Sequence, residues 1–227
     1  DSTSSSNVSC NGAADGSASV LGILNGSGNY SYLWSNGNTN NSISNLVVGT
    51  YSVVVTDNNW GCMDSATITI TEPDSLTALL TGTNISCNGA NDGTLNASGI
   101  GGSGQFDIIW VSHPGLPPVP NQTNLAPDTY IIDVVDMACG NTASTSYILT
   151  EPSVLTVSSS STNNTLCDTS NCNGNITISL SGGTQPYSFS WTNGYTDSVR
   201  NDLCGATYTI DATDANTCTL FTENINI

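Results

Sequence analysis

The amino-acid sequence predicts an all-β protein made of three tandem domains. A seven-residue stretch, Cys87 to Gly93, appears almost unchanged at residues 10–16, and a shorter Cys-Asn-Gly copy begins at Cys172. Each copy precedes segments in which polar and apolar residues alternate, the pattern of half-buried strands, and the apolar spacing of helices is absent. The repeat length fits one small domain per copy, so the predicted domains are 1–73, 74–152 and 153–227.

The first domain gives the order of its strands most clearly. Small polar and apolar residues alternate before a Gly/Ser turn, an aromatic strand follows, and a Tyr-led apolar strand closes on an aspartate. The predicted strands are Ser17 to Leu24, Tyr30 to Trp34, Ile43 to Leu46, Thr50 to Asp57 and Ser65 to Thr71.

The other two domains repeat this order with one departure, a proline-rich stretch at 112–120. Because proline cannot pair inside a sheet, we interpret this stretch as a stiff extended loop at the tip of a hairpin. The predicted strands of the second domain are Thr94 to Ser98, Phe106 to Trp110, Thr129 to Asp136 and Ser144 to Thr150. Those of the third are Ile176 to Leu180, Tyr187 to Trp191, Tyr208 to Asp214 and Thr219 to Ile225.

Eight cysteines indicate an oxidising compartment. The repeat predicts that the two cysteines of each domain pair, and that the two left over in the third domain pair with each other. The predicted disulfides are therefore Cys10–Cys62, Cys87–Cys139, Cys172–Cys218 and Cys167–Cys204. A zinc site is the alternative, but zinc sites bring cysteines in close pairs or with histidine, and His113 is the only histidine. Disulfides predict an extracellular location.

Each domain is thus expected to hold about seven short antiparallel strands, a central tryptophan and a long-range disulfide. This combination is typical of an immunoglobulin-like (Ig-like) β-sandwich, with Trp34, Trp110 and Trp191 in the cores. Glu72-Pro73 and Glu151-Pro152 leave no room for a flexible linker between domains. We therefore expect a tandem array of three Ig-like sandwiches that forms a semi-rigid rod.

The charge of the chain excludes several classes of partner. One residue among Lys and Arg opposes 18 Asp and Glu, and the net charge is −17. Such a surface cannot neutralise phosphates or attract an anionic bilayer, so we expect no nucleic acid and no direct membrane insertion. No apolar run approaches the roughly 20 residues that span a membrane.

The order of motifs resembles a known family. Cys-Asn-Gly-x-x-Asp-Gly is followed by Tyr-x-x-x-Trp-x-Asn-Gly, Gly-Thr-Tyr-x-Val-x-Val-Thr-Asp, a second Cys and Thr-Glu-Pro, most cleanly between Cys10 and Pro73. This order resembles the SprB-type repeat of Bacteroidetes cell-surface gliding adhesins and filaments. The resemblance implies long exported arrays of Ig-like domains, displayed on the cell surface in gliding motility or attachment. The third domain departs from it, since it lacks the Asp-Gly and adds Cys167 and Cys204.

Aspartates that recur at turns are the candidate metal ligands. Asp15, Asp57, Asp92 and Asp136 could supply oxygens to calcium, which prefers six to eight of them. The alternative is that these aspartates cap turns, which the absence of any EF-hand loop favours. We expect no cofactor, with calcium as the single candidate.

The sequence predicts no enzymatic activity. His113 lies among prolines without a nucleophile or a paired carboxylate motif. Trp60 has no counterpart in the other domains and is the candidate for an exposed aromatic contact, for instance with a sugar.

Glycan attachment is the candidate modification. The phylum of the resembled family commonly links sugars to Asp-Ser/Thr-apolar triplets, which makes Ser2, Ser65, Ser75 and Ser198 candidates. Asn-x-Ser/Thr sequons also occur, at Asn7, Asn84 and Asn121 among others.

The leading functional hypothesis is an extracellular structural or adhesive repeat segment, whose partners are further repeats of the array, other copies of the chain, or surface glycans and substratum. A carbohydrate-binding sandwich is one alternative. The other is a self-polymerising filament subunit, because the first domain lacks the apolar opening strands read at Leu76 to Leu80 and Val154 to Val157. The Ile225 to Ile227 tail of another copy would then fill that edge.

Overall fold

The computed structural model of the chain describes residues 2–165, 171–218 and 221–227. Within these residues the chain forms 18 strands and no helix, arranged as six three-stranded antiparallel sheets. The predicted all-β class is therefore confirmed.

The first six strands form two sheets. Their bounds are β1 Ser2–Ser6, β2 Gly16–Gly22, β3 Tyr30–Trp34, β4 Ser42–Leu46, β5 Gly49–Asp57 and β6 Met63–Ile70. The strand orders are β1-β2-β4 and β3-β5-β6. Turns rich in glycine and asparagine connect them, as the sequence predicts.

The next six strands repeat the arrangement. Their bounds are β7 Thr77–Thr83, β8 Gly93–Ile100, β9 Phe106–Trp110, β10 Asn121–Leu125, β11 Asp128–Asp136 and β12 Thr142–Leu149. The strand orders are β10-β8-β7 and β12-β11-β9.

The last six strands form the third pair of sheets. Their bounds are β13 Thr156–Thr162, β14 Gly174–Ser181, β15 Ser188–Trp191, β16 Val199–Leu203, β17 Thr207–Thr213 and β18 Phe221–Asn226. The strand orders are β13-β14-β16 and β15-β17-β18.

The first two sheets share one buried core. Side chains along β5 alternate between the faces, so Val53 and Val55 are buried while Val54 is exposed. Val53 belongs to the same buried cluster as Ala18 of β2 and Trp34 of β3, which lie on different sheets. Burying both inner faces together gives a β-sandwich.

The last two sheets share an equivalent core. Ile176 of β14, Trp191 of β15 and Ile210 of β17 form one buried cluster, again drawn from both sheets. The central tryptophans therefore hold the predicted core positions: Trp34, Trp110 and Trp191 are 1%, 3% and 2% exposed. Each indole N–H donates to a backbone carbonyl, those of Asn40, Val119 and Asp197, at 2.8, 3.1 and 2.9 Å. This bond lets the ring be buried without an unpaired donor.

The chain divides into two compact units by its internal contacts. The first comprises Asp1–Leu80, Ala97–Pro120 and Ile131–Ser146, and the second comprises Thr81–Asn96, Asn121–Tyr130 and Tyr147–Ile227. The first contains the core of the first two sheets, and the second contains the core of the last two. The domain boundaries read from the repeats stay a prediction.

Several predicted details of the strands are wrong. Each pair of sheets has six strands rather than about seven. The proline-rich stretch forms no strand, as expected, but it connects β9 to β10, which belong to different sheets. It therefore crosses between sheets and is not the tip of a hairpin.

The strands β4, β10 and β16 each contain a β-bulge, which explains why β10 and β16 were not predicted from the sequence. Asn45, Asn124 and Asp202 have φ of 55°, 57° and 55°, and the pairing register shifts at each of these strands. Such β-bulges break the alternation of buried and exposed side chains on which the prediction depends. A recurring Asn/Asp-Leu pair is the signal that marks them.

The expectation that the first domain lacks an opening strand is wrong. Ser2–Ser6 forms β1, which pairs along β2 as β13 pairs along β14. An edge strand needs backbone hydrogen bonds on one side only, so exposed serines suffice where an apolar segment was expected.

The proposed donor tail is also engaged within its own chain. Strand β18 pairs with β17, where Ile225 lies opposite Tyr208. Ile225 is buried in the core of the last two sheets, and Ile227 packs against that core. Donation of this tail to another copy would take Ile225 and Ile227 out of that core, which removes the structural basis of the strand-donation hypothesis.

Candidate functional site

The functional features converge on two kinds of loop. The first kind, here called the Asp loops, comprises residues 57–62, 136–141 and 214–218, which follow β5, β11 and β17. Each opens with a buried aspartate. In the first Asp loop, Asp57 Oδ1 accepts the backbone N–H of Asn59 at 2.9 Å and of Trp60 at 3.1 Å. Asp136 and Asp214 bind two N–H groups of their own loops in the same way.

A hydroxyl-bearing residue from an earlier turn completes the aspartate's set of donors in the first two Asp loops. Ser27 donates its N–H and its hydroxyl to Asp57 at 2.7 and 2.6 Å. Ser103 does the same for Asp136 at 2.6 and 2.5 Å. The serine hydroxyl bond is the largest cause that lowers the pKa of both aspartates, and it outweighs burial, which acts in the opposite direction.

The second kind of loop, here called the Ser-Cys turns, comprises residues 9–16 and 86–93. Asp15 accepts the backbone N–H and the hydroxyl of Ser9, and Asp92 accepts those of Ser86. These bonds, the hydroxyl bond foremost, lower the pKa of Asp15 and Asp92. In each Ser-Cys turn, these bonds join the serine at the start of the turn to the aspartate near its end.

The four candidate calcium ligands therefore act as acceptors for N–H and O–H donors. This geometry is that of turn capping, the alternative reading of these aspartates. Among the described residues, no three His, Cys, Asp or Glu side chains group closely enough to hold a metal ion. Calcium binding stays an untested prediction, and it would require these donors to be displaced.

The glutamate of each Thr-Glu-Pro motif anchors the Ser-Cys turn of the same repeat. Glu72 Oε2 accepts the N–H of Gly12 at 2.7 Å, and the Asn11 amide donates to the Pro73 carbonyl at 3.0 Å. Glu151, Gly89, Asn88 and Pro152 repeat both bonds at the same distances. Sequence reasoning missed this role, although the two motifs occur together in the first and second repeats.

The predicted disulfide pairing is wrong. Cys10 bonds to Cys139 and Cys87 bonds to Cys218, with Cα–Cα distances of 5.7 and 5.4 Å. The first cysteine of one repeat thus pairs with the second cysteine of the next. Cys62 is exposed and carries no disulfide.

The length of one strand explains the correction. Cys62 directly precedes β6. The turn that carries Cys10 is hydrogen-bonded to Glu72 and Pro73, which stand two and three residues after the end of β6. Eight residues of strand separate these points by about 25 Å, while a disulfide requires Cα atoms within about 7 Å. Strand β12 separates Cys139 from Cys87 in the same way.

The third domain departs further from the predicted pattern. Cys204 bonds to Cys172, so the predicted Cys172–Cys218 and Cys167–Cys204 pairs are both wrong. Cys167 lies outside the described residues. Gly174 pairs with Leu203 as Gly16 pairs with Leu46 and Gly93 with Leu125. Cys172 stands two residues before its glycine, whereas Cys10 and Cys87 stand six before theirs, so Cys172 is not their counterpart.

Contacts other than the S–S bonds also join the Ser-Cys turns to the Asp loops. The Asn216 amide donates to the Ser86 carbonyl at 2.8 Å, beside the Cys87–Cys218 bond. Cys139 Sγ lies 3.7 Å from the Ser9 carbonyl oxygen beside the Cys10–Cys139 bond. A serine carbonyl therefore belongs to each clamp, which we define as one Asp loop bonded to one Ser-Cys turn.

The first Asp loop carries no clamp and borders an apolar surface. Trp60 is 63% exposed, as expected, and Leu24 and Met63 are 82% and 72% exposed. A pocket of about 180 Å³ lies between these residues and Cys62, with Tyr30 in its wall. Binding by Trp60 stays a prediction.

The other candidate residues are placed as follows. Ser2, Ser65 and Ser75 are exposed and Ser198 is half-buried, which leaves glycosylation untested. His113 Nδ1 lies 2.8 Å from the Ser112 hydroxyl. No helix among the described residues could span a membrane.

Comparison with known families bears on these repeats. The family model of the SprB repeat matches at residues 2–39 and 159–196. These two segments, about a third of the chain, match the SprB repeat. SprB repeats occur in cell-surface proteins, and the disulfides are consistent with an extracellular location. Repeat and Ig-like families of this kind are typically non-enzymatic. No curated protein sequence matches the chain.

Solved structures show the fold. The three N-terminal domains of the highly immunogenic outer capsid protein of bacteriophage RB49 match with a TM-score of 0.53 and 12% identity, over 94% of this chain and 93% of that chain. The N-terminal eight Ig domains of the Down syndrome cell adhesion molecule match with a TM-score of 0.30 and 12% identity, over 87% and 31%. Surface layer protein SbsC, domains 4–9, matches with a TM-score of 0.28 and 12% identity, over 91% and 40%. The match to the three capsid-protein domains and the paired three-stranded antiparallel sheets confirm the predicted Ig-like β-sandwich fold.

The buried aspartates should make the stability of the chain depend on pH. Asp136→Asn places an amide N–H₂ among donors, the N–H and hydroxyl of Ser103 and two loop N–H groups, so we expect Tm to fall by on the order of 5 °C at pH 7. Because the folded pKa of Asp136 is lowered, its contribution is present above the ordinary value of about 3.9 and is lost as pH falls through the folded pKa.

The difference in Tm between the two proteins should therefore shrink as the pH falls below about 3.9, measured by circular dichroism. Asp107→Asn removes the same charge from an exposed position of β9 and serves as the control. An equal loss of Tm in both variants would contradict the role of Asp136.

Trypsin should leave the oxidised chain as a single band. Arg200 is the sole Lys or Arg, and the bond after it lies inside the loops closed by Cys172–Cys204 and Cys87–Cys218. The guanidinium carbon lies 4.3 Å from the Tyr195 ring centroid and 5.4 Å from that of Trp191, so we expect slow cleavage. Electrophoresis should show two bands after reduction. Separate fragments without reductant would contradict both disulfides.

Proposed function

We propose that the chain is an extracellular structural and adhesive segment of a bacterial cell-surface adhesin or filament, acting in gliding motility or attachment. The observation that carries the proposal is the pair of clamps, Cys10–Cys139 and Cys87–Cys218. A structural array on a cell surface must transmit load from repeat to repeat. Covalent links between repeats hold under load after hydrogen bonds and apolar contacts have failed.

The two clamps also overlap along the chain. The loop closed by Cys10–Cys139 and the loop closed by Cys87–Cys218 share residues 87–139. A pull on the two ends is therefore carried by covalent bonds through residues 1–10, 87–139 and 218–227. The remaining residues are relieved of load, which suits a tether better than a catalyst.

Labelling of intact cells tests this function. A Fab fragment raised against the chain should label cells of the source bacterium without permeabilisation and should reduce their attachment to glass. A Fab against a cytoplasmic protein serves as the control. Label that appears only after permeabilisation would overturn the proposal. Small-angle scattering of the oxidised protein tests the predicted semi-rigid rod separately, since a compact particle would contradict it.

A carbohydrate-binding role is the second candidate, and the exposed Trp60 beside its pocket favours it. Aromatic faces bind sugar rings, and Asp64 and Asn25 in the pocket wall supply polar groups. Trp60→Ala should then abolish binding to any glycan that the intact chain captures on an array, with and without calcium. Tyr195→Ala, an exposed aromatic elsewhere, is the control. An array that stays blank would contradict this role.

Glycosylation of the exposed candidate serines forms part of the proposal for the natural protein. Ser2, Ser65 and Ser75 project from the surface, so a glycosyltransferase can reach them without unfolding the sandwich. Mass spectrometry of the protein from its natural source would show added hexose masses on the corresponding peptides.

A further inference from the structure

The first Asp loop is the one of the three whose cysteine carries no disulfide. Cys139 stands three residues after Asp136 and Cys218 stands four residues after Asp214, and both bond to the cysteine of a Ser-Cys turn. Cys62 stands five residues after Asp57 in a loop of the same length, because the Asp57 N–H donates to the Cys62 carbonyl as the Asp136 N–H donates to that of Asn141. Trp60 therefore holds the position of Cys139, and Cys62 lies two residues beyond it. Cys139 and Cys218 reach the same kind of partner from successive positions of the loop, so the position of the bonded cysteine in an Asp loop is not fixed.

Two further features of the first Asp loop suit binding to a Ser-Cys turn. Asn59 follows Asp57 by two residues, as Asn216 follows Asp214, and Asn216 donates to the serine carbonyl of its Ser-Cys turn. The loop is also bordered by the exposed side chains of Trp60, Leu24 and Met63, an apolar surface of the kind that marks an interaction site.

We propose that Cys62 forms a disulfide with the cysteine of a Ser-Cys turn of a further SprB-type repeat, which seats against Trp60, Leu24 and Met63. The proposal rests on the proposed array function and deepens it, because it identifies the residue through which a further repeat would be covalently joined to this chain. The chain's own Ser-Cys turns do not fill this role, since Cys10 and Cys87 are already bonded.

The bond forms by thiol–disulfide exchange with a small disulfide such as oxidised glutathione. The partner cysteine first exchanges with it, which releases one glutathione thiolate. The Cys62 thiolate then attacks the partner's sulfur in the mixed disulfide and releases the second glutathione thiolate. Two protein thiols are oxidised, one glutathione disulfide is reduced, and the two protons are taken up by the released thiolates.

An extended chain tests the proposal. A copy of residues 74–156 joined ahead of Asp1 places the copy's Pro152 20 residues before Gly16, the spacing between Pro73 and Gly93. After refolding in glutathione buffer, we expect pepsin peptides that link Cys62 to the added copy of Cys87. Alkylation of Cys62 by iodoacetamide should fall by about tenfold or more relative to the parent chain.

Two variants of the extended chain are the controls. Cys87→Ser in the added copy should restore alkylation of Cys62. Cys62→Ser combined with Ser65→Cys moves an exposed thiol three residues along and should leave it unpaired if the loop geometry selects the partner. The native Cys10–Cys139 and Cys87–Cys218 peptides report correct folding in each variant.

The proposal is overturned if Cys62 of the extended chain is alkylated as fast as in the parent while the native disulfides have formed. Pairing of the displaced thiol at position 65 with equal yield would also overturn it, since proximity alone would then suffice. Labelling of intact cells reports the proposed function independently, so failure of one proposal is distinguishable from failure of the other.

Discussion

Pulled from its two ends, the oxidised chain is expected to extend to only about a third of the length of the reduced chain. The overlapping disulfides leave residues 1–10, 87–139 and 218–227 as the shortest covalent path. This path of roughly 70 residues reaches on the order of 250 Å at 3.3–3.6 Å per residue, whereas all 227 residues reach on the order of 800 Å. Single-molecule force spectroscopy with and without reductant measures both lengths.

Single substitutions decide between the observed pairing and pairing within each repeat. Cys62→Ser should leave the extension unchanged, because Cys62 carries no disulfide. If Cys62 were instead bonded to Cys10, its loss would release about 50 residues and lengthen the chain by roughly 170 Å. Cys10→Ser together with Cys87→Ser should give nearly the extension of the reduced chain.

Removal of one whole clamp is expected to cause the largest loss of stability. The Cys87–Cys218 bond closes a loop whose ends lie 131 residues apart in sequence, and on the chain-entropy model such a crosslink stabilises the folded state by about 5 kcal/mol. Cys87→Ser with Cys218→Ser should therefore lower the free energy of unfolding by about that amount, because the unfolded chain regains the freedom of the open loop. Guanidinium chloride denaturation followed by tryptophan fluorescence measures the change.

Cys62→Ser is the matched control for this experiment, since it removes a cysteine from an Asp loop that has no clamp. Its free energy of unfolding should stay within about 0.5 kcal/mol of that of the unmodified chain. A loss in the control as large as that in the double variant would show that the cysteine's own packing, and not the crosslink, stabilises the fold.

Local sequence patterns predict much of the fold. Period-two alternation located most central strands to within one or two residues, and Tyr30–Trp34 and Phe106–Trp110 match their predicted bounds. The equivalent position of the three tryptophans indicated their burial, because only a core position recurs with so large an apolar side chain. Edge strands were harder: β1 is all Ser and Thr, and its sole requirement is backbone pairing.

In the candidate site too, the sequence predicts some features and the tertiary structure alone shows others. The sequence marked the Ser-Cys turns, the Asp loops and the exposed Trp60, because each carries an unusual local pattern. The sequence does not show which loops lie in contact. Pairing of cysteines within one repeat and pairing between neighbouring repeats are equally compatible with the repeat pattern. The partner of Glu72 is 60 residues away along the chain, and only its bond to Gly12 shows that it anchors the Ser-Cys turn.

By itself, the sequence determined the all-β class, the repeat, the buried tryptophans and the identity of the residues that form the loops. The tertiary structure alone decided the disulfide pairing. Strand β6 holds Cys62 and the Cys10 turn at its opposite ends, about 25 Å apart, so a disulfide within the repeat is excluded by distance. Alternation along a strand reports which face a residue occupies, but the end of the sandwich at which a loop emerges depends on strand length and direction.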